Sequence, residues 1–499
     1  MWKDKSRKSR HCLFCVFKLL PRKTVFGFIF GIVMCGFMWQ FFIVTNSAYA
    51  ESPTTELTNS ESEADGCFVI LIGKDRTIDG SVMVAHNEDG SNKSSRLKYV
   101  PKQHNPEQEM YLNYVTIPQV PETLAYWAEG FSTATAARPE YDDEWILNGM
   151  NEAGVSITCA VTRTRQEPPP EKQGITRFAL RQVVLERATS ARDGVDIFSN
   201  LISEYGLALS PEKPQQTIAC GVADSQEAWL IESTFHQWVA KKIPDDSYSA
   251  SGNVYTIGSD WDLASPDLIE YAIEQGWYNP EQGPFSFKDA YSSTEEPDLA
   301  HSAARVWQTQ VMLDQQEGGS VDVPFLWSII SQPPVQSRST QAFMIWHLRD
   351  TLPKELGTLM WFGLSNAVTN VRIPIYMGST ESPPSYMDSS GSYDPSSAYW
   401  QFRLAGITLY PQPWIYVEPF KKVRQKLDGY QFRIDFKNKW IEWLAPIYYE
   451  FGGINALENL LTDYTYKELQ SALDITNNII KKYQFKLPEN SGPREGGGF

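Results

Sequence analysis

The segment CFVILIGKDRTIDGSVMVAHNED (67–89) holds two apolar runs separated by a polar turn that contains glycine. The first run, CFVILIG (67–73), is continuous and rich in β-branched residues, and the second begins with SVMVA (81–85). Two short apolar runs around such a turn predict a β-hairpin with a buried face. The residues before it, ESPTTELTNSESEADG (51–66), are acidic and rich in Ser and Thr, so we expect a disordered propeptide there. The folded part is therefore predicted to begin abruptly at Cys67.

Further strands are predicted along the chain, without the regular alternation of βαβ units. Between them, residues 175–206 have the 3.6-residue periodicity of two helices, the second of which ends at Gly206. Residues 379–397 have the composition of a loop or lid, and the chain from about 398 is helical by pattern, with a loose tail. This mixture favours antiparallel sheets covered by helices. The predicted strands after the hairpin are 144–151, 154–162, 216–224, 227–234, 357–365 and 370–378.

The first fifty residues have the features of an export signal. Eight Lys and Arg residues stand against one acid, an apolar run extends from Thr24 to Val44, and a small-residue motif ends at Ala50. This order predicts a signal peptide that is cleaved after Ala50. The apolar run has 21 residues, which is long enough to span a bilayer, so an uncleaved membrane anchor is the alternative. Both interpretations place the body of the protein outside the cytoplasm.

Charge and motif content exclude several classes of function. The formal net charge of −16 gives no electrostatic support for nucleic-acid binding. The sequence has no glycine-rich phosphate loop and no HExxH motif, and its CxxC pair, Cys12 and Cys15, lies in the export segment. The six His residues are scattered along the chain. We therefore expect neither a metal site nor a cofactor.

Cysteine usage points to one reactive thiol. Outside the export segment the chain has three cysteines, Cys67, Cys159 and Cys220. The last two are expected to be ordinary strand residues, and an odd count means that in an oxidising compartment at least one thiol is unpaired or pairs between chains. If the chain is cut after Gly66, Cys67 acquires a free α-amine that titrates at about pH 8 and can act as the general base for its own thiol. A buried strand cysteine without chemistry is the alternative.

The hairpin and several later segments resemble the dipeptidase A and secernin family. The similarity begins with CFVILIGKDRTIDGSVMVAHNEDGSN and continues through NGMNEAGVSIT (148–158), residues 175–206, LRDTLPKELGTLMWFGLSNAVTNVRIPIYMG (348–378) and AYWQFRL (398–404). That family belongs to the N-terminal-nucleophile hydrolases, alongside penicillin V acylase and bile-salt hydrolase. The resemblance implies an α+β fold, a four-layer αββα sandwich of two antiparallel sheets, with an added C-terminal helical region. It also implies cysteine dipeptidase activity without a cofactor.

The same resemblance implies catalytic residues. Cys67 matches the nucleophile, which autocatalytic cleavage between Gly66 and Cys67 would release. Asp89 matches the acid that holds the amine of the nucleophile. Asn151 lies where relatives have an Asn near the oxyanion site, and Asn253 lies where they have an oxyanion-hole amide. For Asp89 and Asn151, the alternative is a turn residue without chemistry.

Three further residues are expected on the substrate side of the site. Relatives usually have Arg before the Asn-Glu-Asp signature, whereas this chain has His86 there, followed by Asn87. Because histidine is mostly neutral at pH 7, this exchange removes a permanent cation that would favour a thiolate. Arg338 could bind a substrate carboxylate through its two-pronged guanidinium, and a plain surface charge is the alternative.

Together these features predict four segments and one main function. The segments are an export signal or anchor (1–50), an acidic propeptide (51–66), a catalytic domain (67–397) and a C-terminal helical region with a tail (398–499). We expect an exported dipeptidase that binds small peptides, has no nucleic-acid partner, and contacts a membrane only through an uncleaved first segment. Two alternatives remain open. They are an acylase of the same fold acting on non-peptide amides, and a catalytically silent, membrane-anchored binding protein.

Overall fold

The computed structural model describes residues 66–90, 94–105, 108–131, 145–210, 214–293, 299–387, 393–409 and 417–483. All of them belong to one unit, Glu63–Phe499. The predicted export segment, and the acidic propeptide up to its last residue, lie outside the described residues. Among the helices of the described part, none is both long enough and apolar enough to cross a membrane.

The described residues form two large sheets and a small ribbon, and all pairings between the named strands are antiparallel. The first sheet has six strands in the order β12-β1-β2-β14-β15-β16. The second has eight strands in the order β13-β11-β10-β9-β8-β7-β6-β3, and β4 pairs with β5. The strands are β1 (Phe68–Ile72), β2 (Val82–Asp89), β3 (Arg96–Val100), β4 (Glu109–Leu112), β5 (Val115–Pro118), β6 (Tyr126–Gly130), β7 (Ile146–Asn151), β8 (Ser156–Arg163), β9 (Gln216–Ala223), β10 (Ala228–Ser233), β11 (Trp238–Ile243), β12 (Tyr248–Ser251), β13 (Leu263–Ala264), β14 (Thr340–Leu348), β15 (Thr358–Leu364) and β16 (Ile373–Tyr376).

The described residues also form α-helices and short 3-10 turns. Short 3-10 turns occur at Lys74–Arg76, Pro280–Gln282 and Ala367–Thr369. The α-helices are α1 (Arg177–Arg187), α2 (Ala191–Tyr205), α3 (Leu268–Glu274), α4 (Phe287–Tyr291), α5 (Leu299–Asp314), α6 (Val323–Ile330), α7 (Lys354–Gly357), α8 (Pro384–Met387), α9 (Ala398–Leu409) and α10 (Val417–Tyr483).

The two sheets face each other between two layers of helices. In the interior, β1 and β2 of the first sheet pack against β8, β9 and β10 of the second. Helices α1 and α2 cover the second sheet, whereas α5, α6, α9 and α10 pack on the first. One apolar core lies between the sheets and under the second set of helices, and another lies under α1 and α2. The αββα sandwich and the C-terminal helices implied by the resemblance are therefore confirmed.

The opening hairpin forms where the sequence predicts it. β1 and β2 pair antiparallel, with Phe68 opposite Asn87 and Ile72 opposite Met83. All residues of both strands are buried, because both strands have neighbours on either side and both faces of the sheet are covered. This central position fixes the backbone at Cys67, the residue immediately before β1.

Local capping explains the helix pair predicted over 175–206. The Thr176 side chain accepts a hydrogen bond from the Ala179 amide at the start of α1, and Ser190 does the same for Asp193 at the start of α2. Gly206 ends α2 with φ 72°, a conformation that glycine adopts without strain. The predicted helix pair and its end at Gly206 are therefore confirmed.

The last helix is a hairpin of two arms rather than one rod. Gly453 has the non-helical angles φ 69° and ψ −165°, which separates an arm over 417–452 from an arm over 454–483. The Tyr430 hydroxyl donates to Glu468 Oε2 at 3.0 Å, and the Tyr464 hydroxyl donates to the Ile434 carbonyl at 3.4 Å. As the position on the first arm advances from 430 to 434, its partner on the second arm moves back from 468 to 464, so the arms run antiparallel.

Candidate active site

Cys67 lies directly before β1, which is an interior strand of the first sheet. Its Sγ lies 3.4 Å from Glu88 Oε1 and 3.8 Å from the Asp89 carbonyl oxygen, across the β1–β2 pairing. The residue is only 5% exposed. Burial, and then the charges of Glu88 and Asp89, raise the pKa of the Cys67 thiol well above its usual value. In the uncut chain the thiol is therefore held in its protonated form.

Cys67 is the free cysteine of the described residues, because Cys159 and Cys220 form a disulfide. These two residues stand directly opposite each other on β8 and β9, which brings their side chains within bonding reach. The interpretation of both as ordinary strand residues is therefore wrong. The unpaired thiol that the odd count predicted is Cys67.

Side chains of β2 alternate between two faces, so His86 and Glu88 point to one face and Asn87 and Asp89 point to the other. On one face, His86 Nε2 lies 3.1 Å from Glu88 Oε2, and Asn148 Nδ2 donates to the same oxygen at 3.0 Å. Asn148 also donates to Glu129 Oε2 at 2.8 Å and accepts from Thr158 Oγ1 at 2.6 Å. Two donors thus hold one oxygen of Glu88, and the other oxygen faces the thiol.

The charges of this buried cluster are balanced by a guanidinium. Burial lowers the pKa of His86 in spite of its Glu88 partner, so the imidazole is neutral at pH 7. Desolvation opposes ionisation of Glu88, but its hydrogen bonds, led by the one to His86, outweigh it and leave the pKa below its usual value. Burial raises the pKa of Glu129 to about 8. Burial also lowers the pKa of Arg181 on α1 to about 10, yet this cation acts on Glu88, Glu129 and Cys67. The permanent cation of the cluster is therefore Arg181, and His86 has a supporting position behind the thiol.

Asp89 points to the opposite face of β2 and belongs to a second cluster. Thr340 Oγ1 donates to Asp89 Oδ1 at 2.5 Å, and Arg305 Nη1 lies 3.5 Å from Asp89 Oδ2. Burial raises the pKa of Asp89 to about 7, although Arg305 and Thr340 both lower it. Because the carboxyl is close to its midpoint at neutral pH, an additional positive charge beside it would complete its ionisation.

Arg305 connects this second cluster to the residue before the thiol. Its Nη1 donates to the Gly66 carbonyl oxygen at 2.5 Å, and its Nη2 donates to Asn253 Oδ1 at 2.5 Å. Asn253 Nδ2 donates in turn to the Val161 carbonyl at 2.8 Å. A Cβ added to Gly66 would stand 2.7 Å from Asn253 Oδ1, so a larger residue would have to displace its neighbours. The structure thus brings Asn253, Gly66 and Cys67 together, as the sequence predicted, around an arginine that it did not predict.

Asn151 is directed away from this site. Its Nδ2 donates to the carbonyls of Leu185 and Ala188, at 3.0 and 2.8 Å, at the end of α1. Its Oδ1 accepts from two backbone amides of the turn that follows β7. Asn148, three residues earlier, has the opposite parity on the strand and faces the thiol cluster. The expected position of Asn151 near the oxyanion site is therefore not what the structure shows, because its side chain anchors a helix end.

Two residues predicted on the substrate side also lie outside the two clusters. Asn87 Nδ2 donates to the carbonyls of Ile330 and Val335, at 2.9 and 3.1 Å, which braces β2 against the end of α6. Arg338 is exposed in the segment that leads into β14. A surface position leaves its guanidinium accessible to a substrate, and its role stays a prediction.

Three side chains of the first cluster have the donor types of a metal site. One ligand atom each from Cys67, His86 and Glu88 lies within 4.8 Å of the others. No metal was expected from the sequence, in which no motif connects these three residues. The charge of Arg181 already acts on two of the three residues, and Asn148 holds the Glu88 oxygen nearest the imidazole. A protein cation thus neutralises this cluster, and we assign no metal to it.

Several residues of the site had no motif to identify them. Glu88 lies between Asn87 and Asp89, which were both predicted as site residues. The two-residue period of a strand alone is enough to place the Glu88 side chain on the opposite face from theirs. Asn148 could have been found by the same reasoning. Arg181 is a charged residue on the apolar side of a predicted helix, and this position could have identified it from the sequence. Arg305 and its neighbour Asp89 are far apart in the chain, and no local signal connects them.

Comparison with known proteins identifies the family of the chain. The sequence pattern of peptidase family C69 matches residues 66–332 and 330–424. A probable dipeptidase from Salmonella dublin is 27% identical over 62% of this chain and 81% of its own length. Probable dipeptidase B from Lactococcus lactis subsp. lactis is 23% identical over 67% of this chain and 79% of its own length. A dipeptidase from Bifidobacterium longum is 27% identical over 50% of each chain.

Similarity to solved structures is weaker. Penicillin V acylase from Agrobacterium tumefaciens aligns over 62% of this chain and 86% of that chain, with 13% identity and a TM-score of 0.38. The fold assignment rests on the sheet order and the layers. The family pattern covers the hairpin, both clusters and the strands that position them. The chain therefore belongs to peptidase family C69 and is a hydrolase of that family.

Proposed function

We propose that the protein is an exported cysteine dipeptidase whose nucleophile is Cys67, made N-terminal by cleavage after Gly66. The observation that supports this most strongly is the hydrogen bond from Arg305 to the Gly66 carbonyl oxygen, next to a buried free thiol. When a thiol attacks a carbonyl carbon, negative charge develops on that oxygen. A fixed guanidinium bonded to it stabilises that charge.

The uncut chain holds the groups needed for self-cleavage. Attack of Cys67 Sγ on the Gly66 carbonyl carbon passes the thiol proton to Glu88, whose Oε1 lies 3.4 Å away. A C–S bond forms and the Gly66–Cys67 C–N bond breaks, which gives a thioester and an α-amine that takes up the proton. Water then hydrolyses the thioester, so that Gly66 leaves as a carboxylate and the thiol is restored.

Cleavage also changes the electrostatics of the thiol. The new α-amine lies near Asp89, and its protonated form is a cation that lowers the thiol pKa. Its neutral form, which is populated above roughly pH 7.7–8.0, accepts the thiol proton. In the peptide reaction the substrate carbonyl occupies the place of Gly66, with its oxygen toward Arg305 Nη1, while Asn253 Oδ1 holds the other end of the guanidinium through Nη2. The departing amine takes the proton from the α-ammonium, and water, deprotonated by the same amine, hydrolyses the acyl thioester.

The proposed substrate and location have separate support. Small peptides are indicated by the relatives, which are named as dipeptidases in Salmonella dublin, Lactococcus lactis and Bifidobacterium longum. Export is favoured by the basic and apolar N-terminal sequence, and by the disulfide, since disulfides persist in oxidising compartments.

The test is the mass of the purified protein together with its activity. We expect wild-type protein to begin at Cys67 and to hydrolyse dipeptides, and Cys67→Ala to remain uncut and inactive. Active protein beginning at Glu51 would contradict the mechanism. Hydrolysis of N-acyl amines but not of dipeptides would favour the acylase alternative, and uncut, inert wild-type protein would favour a binding protein.

A further inference from the structure

The first arm of α10 (417–452) has two apolar faces. One face is buried against the body and the second arm, through Val423, Leu427, Tyr430, Ile434 and Ala445. The opposite face carries six large apolar residues that are exposed to solvent, and we call it the aromatic face. Its members and their exposed fractions are Phe432 (72%), Phe436 (56%), Trp440 (51%), Trp443 (60%), Ile447 (38%) and Phe451 (84%).

The spacing of these residues makes one continuous stripe. The steps between them are four, four, three, four and four residues, and successive residues of an α-helix turn by about 100°. At that turn, all six fall within an arc of about 100°, the width of an apolar face that packs on a partner. The rings contact one another along the stripe, with ring centroids 6.3 Å apart for Phe436 and Trp440, and 5.5 Å apart for Trp440 and Trp443.

Exposure of this kind is concentrated on the first arm and at the turn that follows it. Of the fifteen exposed large hydrophobic residues in the described part of the chain, nine lie between Phe432 and Ile454. Contiguous exposed apolar surface marks an interaction site, whereas scattered residues do not. The match to peptidase family C69 ends at residue 424, before the stripe begins. The aromatic face therefore has no explanation in the activity of the family.

We propose that the aromatic face docks this protein on the surface of a lipid bilayer. Trp, Tyr and Phe are the side chains that settle at the membrane–water boundary, where their rings enter the acyl region and their polar atoms remain hydrated. Near the break at Gly453, Tyr448 and Tyr449 are exposed as well, on other sides of the helix. The tip of the hairpin is thus aromatic around its circumference, as expected of an element that enters a headgroup layer.

The charges on this stretch indicate which bilayer it fits. Between 432 and 454 there are three basic residues, Arg433, Lys437 and Lys439, and three acids. The whole chain has a formal net charge of −16. An acidic body with a neutral aromatic edge is repelled by an anionic surface and by a second copy of itself. The partner that fits these charges is a zwitterionic lipid surface. Binding to it would come from burial of apolar side chains and would depend little on salt concentration.

The N-terminal sequence supplies an independent reason for proximity to a bilayer. Thr24–Val44 is an apolar run of 21 residues, and a further 21 residues separate it from Gly66. Fully extended, that linker reaches at most about 70 Å. An anchored chain would therefore keep the aromatic face at high effective concentration near the membrane. If the cleavage proposed above cuts this tether, the aromatic face is what retains the mature enzyme at the surface.

The experiment is sedimentation of purified protein with phosphatidylcholine vesicles, at two salt concentrations. Trp440→Ser/Trp443→Ser removes the centre of the aromatic face, and Trp307→Ser is the matched control, because Trp307 is 67% exposed on α5. We expect the double variant to lose at least tenfold in vesicle partitioning, and the control to match wild type. Circular dichroism and dipeptide hydrolysis without vesicles should be unchanged in both, which separates this result from failure of the proposed activity.

Three results would overturn the proposal. Wild-type protein that does not sediment with vesicles has no lipid surface as partner. Binding that requires anionic lipid and disappears in salt is electrostatic and does not use the aromatic face. A wild-type dimer in light scattering that becomes a monomer in the Trp440→Ser/Trp443→Ser variant identifies a second copy as the partner.

Discussion

Replacement of Arg305 by lysine is the sharpest test of the site. The guanidinium bridges three groups, with hydrogen bonds of 2.5 Å to the Gly66 carbonyl and to Asn253 Oδ1, and a 3.5 Å contact with Asp89 Oδ2. Lysine keeps the positive charge but cannot reproduce the planar fork. Loss of one donor to a developing oxyanion costs about 2.7–4 kcal/mol, which corresponds to a rate lower by about 10²–10³-fold. We expect both cleavage after Gly66 and dipeptide hydrolysis to slow by that factor.

The assay follows the appearance of the Cys67 N-terminus by mass spectrometry, and kcat/KM for a dipeptide on the mature fraction. Arg192→Lys is the matched control, since it is the same exchange at an exposed position of α2, a helix that covers the second sheet. Lysine is used because an uncharged residue would leave Asp89 buried and unpaired, at a cost of about 3–5 kcal/mol in the free energy of unfolding. Maturation and hydrolysis within threefold of wild type in Arg305→Lys would refute the assignment of Arg305 as the oxyanion donor.

Asn148→Ala should lower kcat by at least tenfold, whereas Asn151→Ala should leave kcat nearly unchanged; both should lower the urea midpoint, because each side chain is buried and makes several hydrogen bonds. A loss of kcat in Asn151→Ala without one in Asn148→Ala would restore Asn151 to the site. Replacing both Cys159 and Cys220 by Ser opens a loop of 61 residues, so the free energy of unfolding should fall by about 4 kcal/mol, and reductant should lower the urea midpoint of wild type but not of the variant. The folded-state pKa of Glu129 is about 8 against a usual value of 4.5, so the folded protein binds the extra proton and loses about 1.4 kcal/mol per pH unit as pH rises through that window. Asp89, with a folded-state pKa of about 7, adds a slope of the same sign below that pH. Glu129→Gln should therefore reduce the slope in urea titrations between pH 5 and 8 by about 1.4 kcal/mol per pH unit without abolishing it, and an unchanged slope would contradict the assignment to Glu129.

Local sequence was sufficient for features that depend on neighbours along the chain. The hairpin around residues 74–80 and the helix pair with its end at Gly206 follow from periodicity, turn composition and capping. The position of Asp89 beside the thiol follows as well, because a hairpin of this length returns the chain to the strand it left.

The partners of those residues were decided by packing over long separations. The sequence could not indicate that Arg305 bonds the Gly66 carbonyl from 239 positions away, or that Cys159 and Cys220 face each other across β8 and β9. The family resemblance also placed Asn151 at the site. In the structure, the two-residue period of the strand directs the Asn151 side chain to the end of a helix and the Asn148 side chain to the thiol cluster. A sequence pattern indicates whether a residue is apolar, but the face to which its side chain points depends on the register of its strand. Register is fixed only when two sheets and their helices close around a common core.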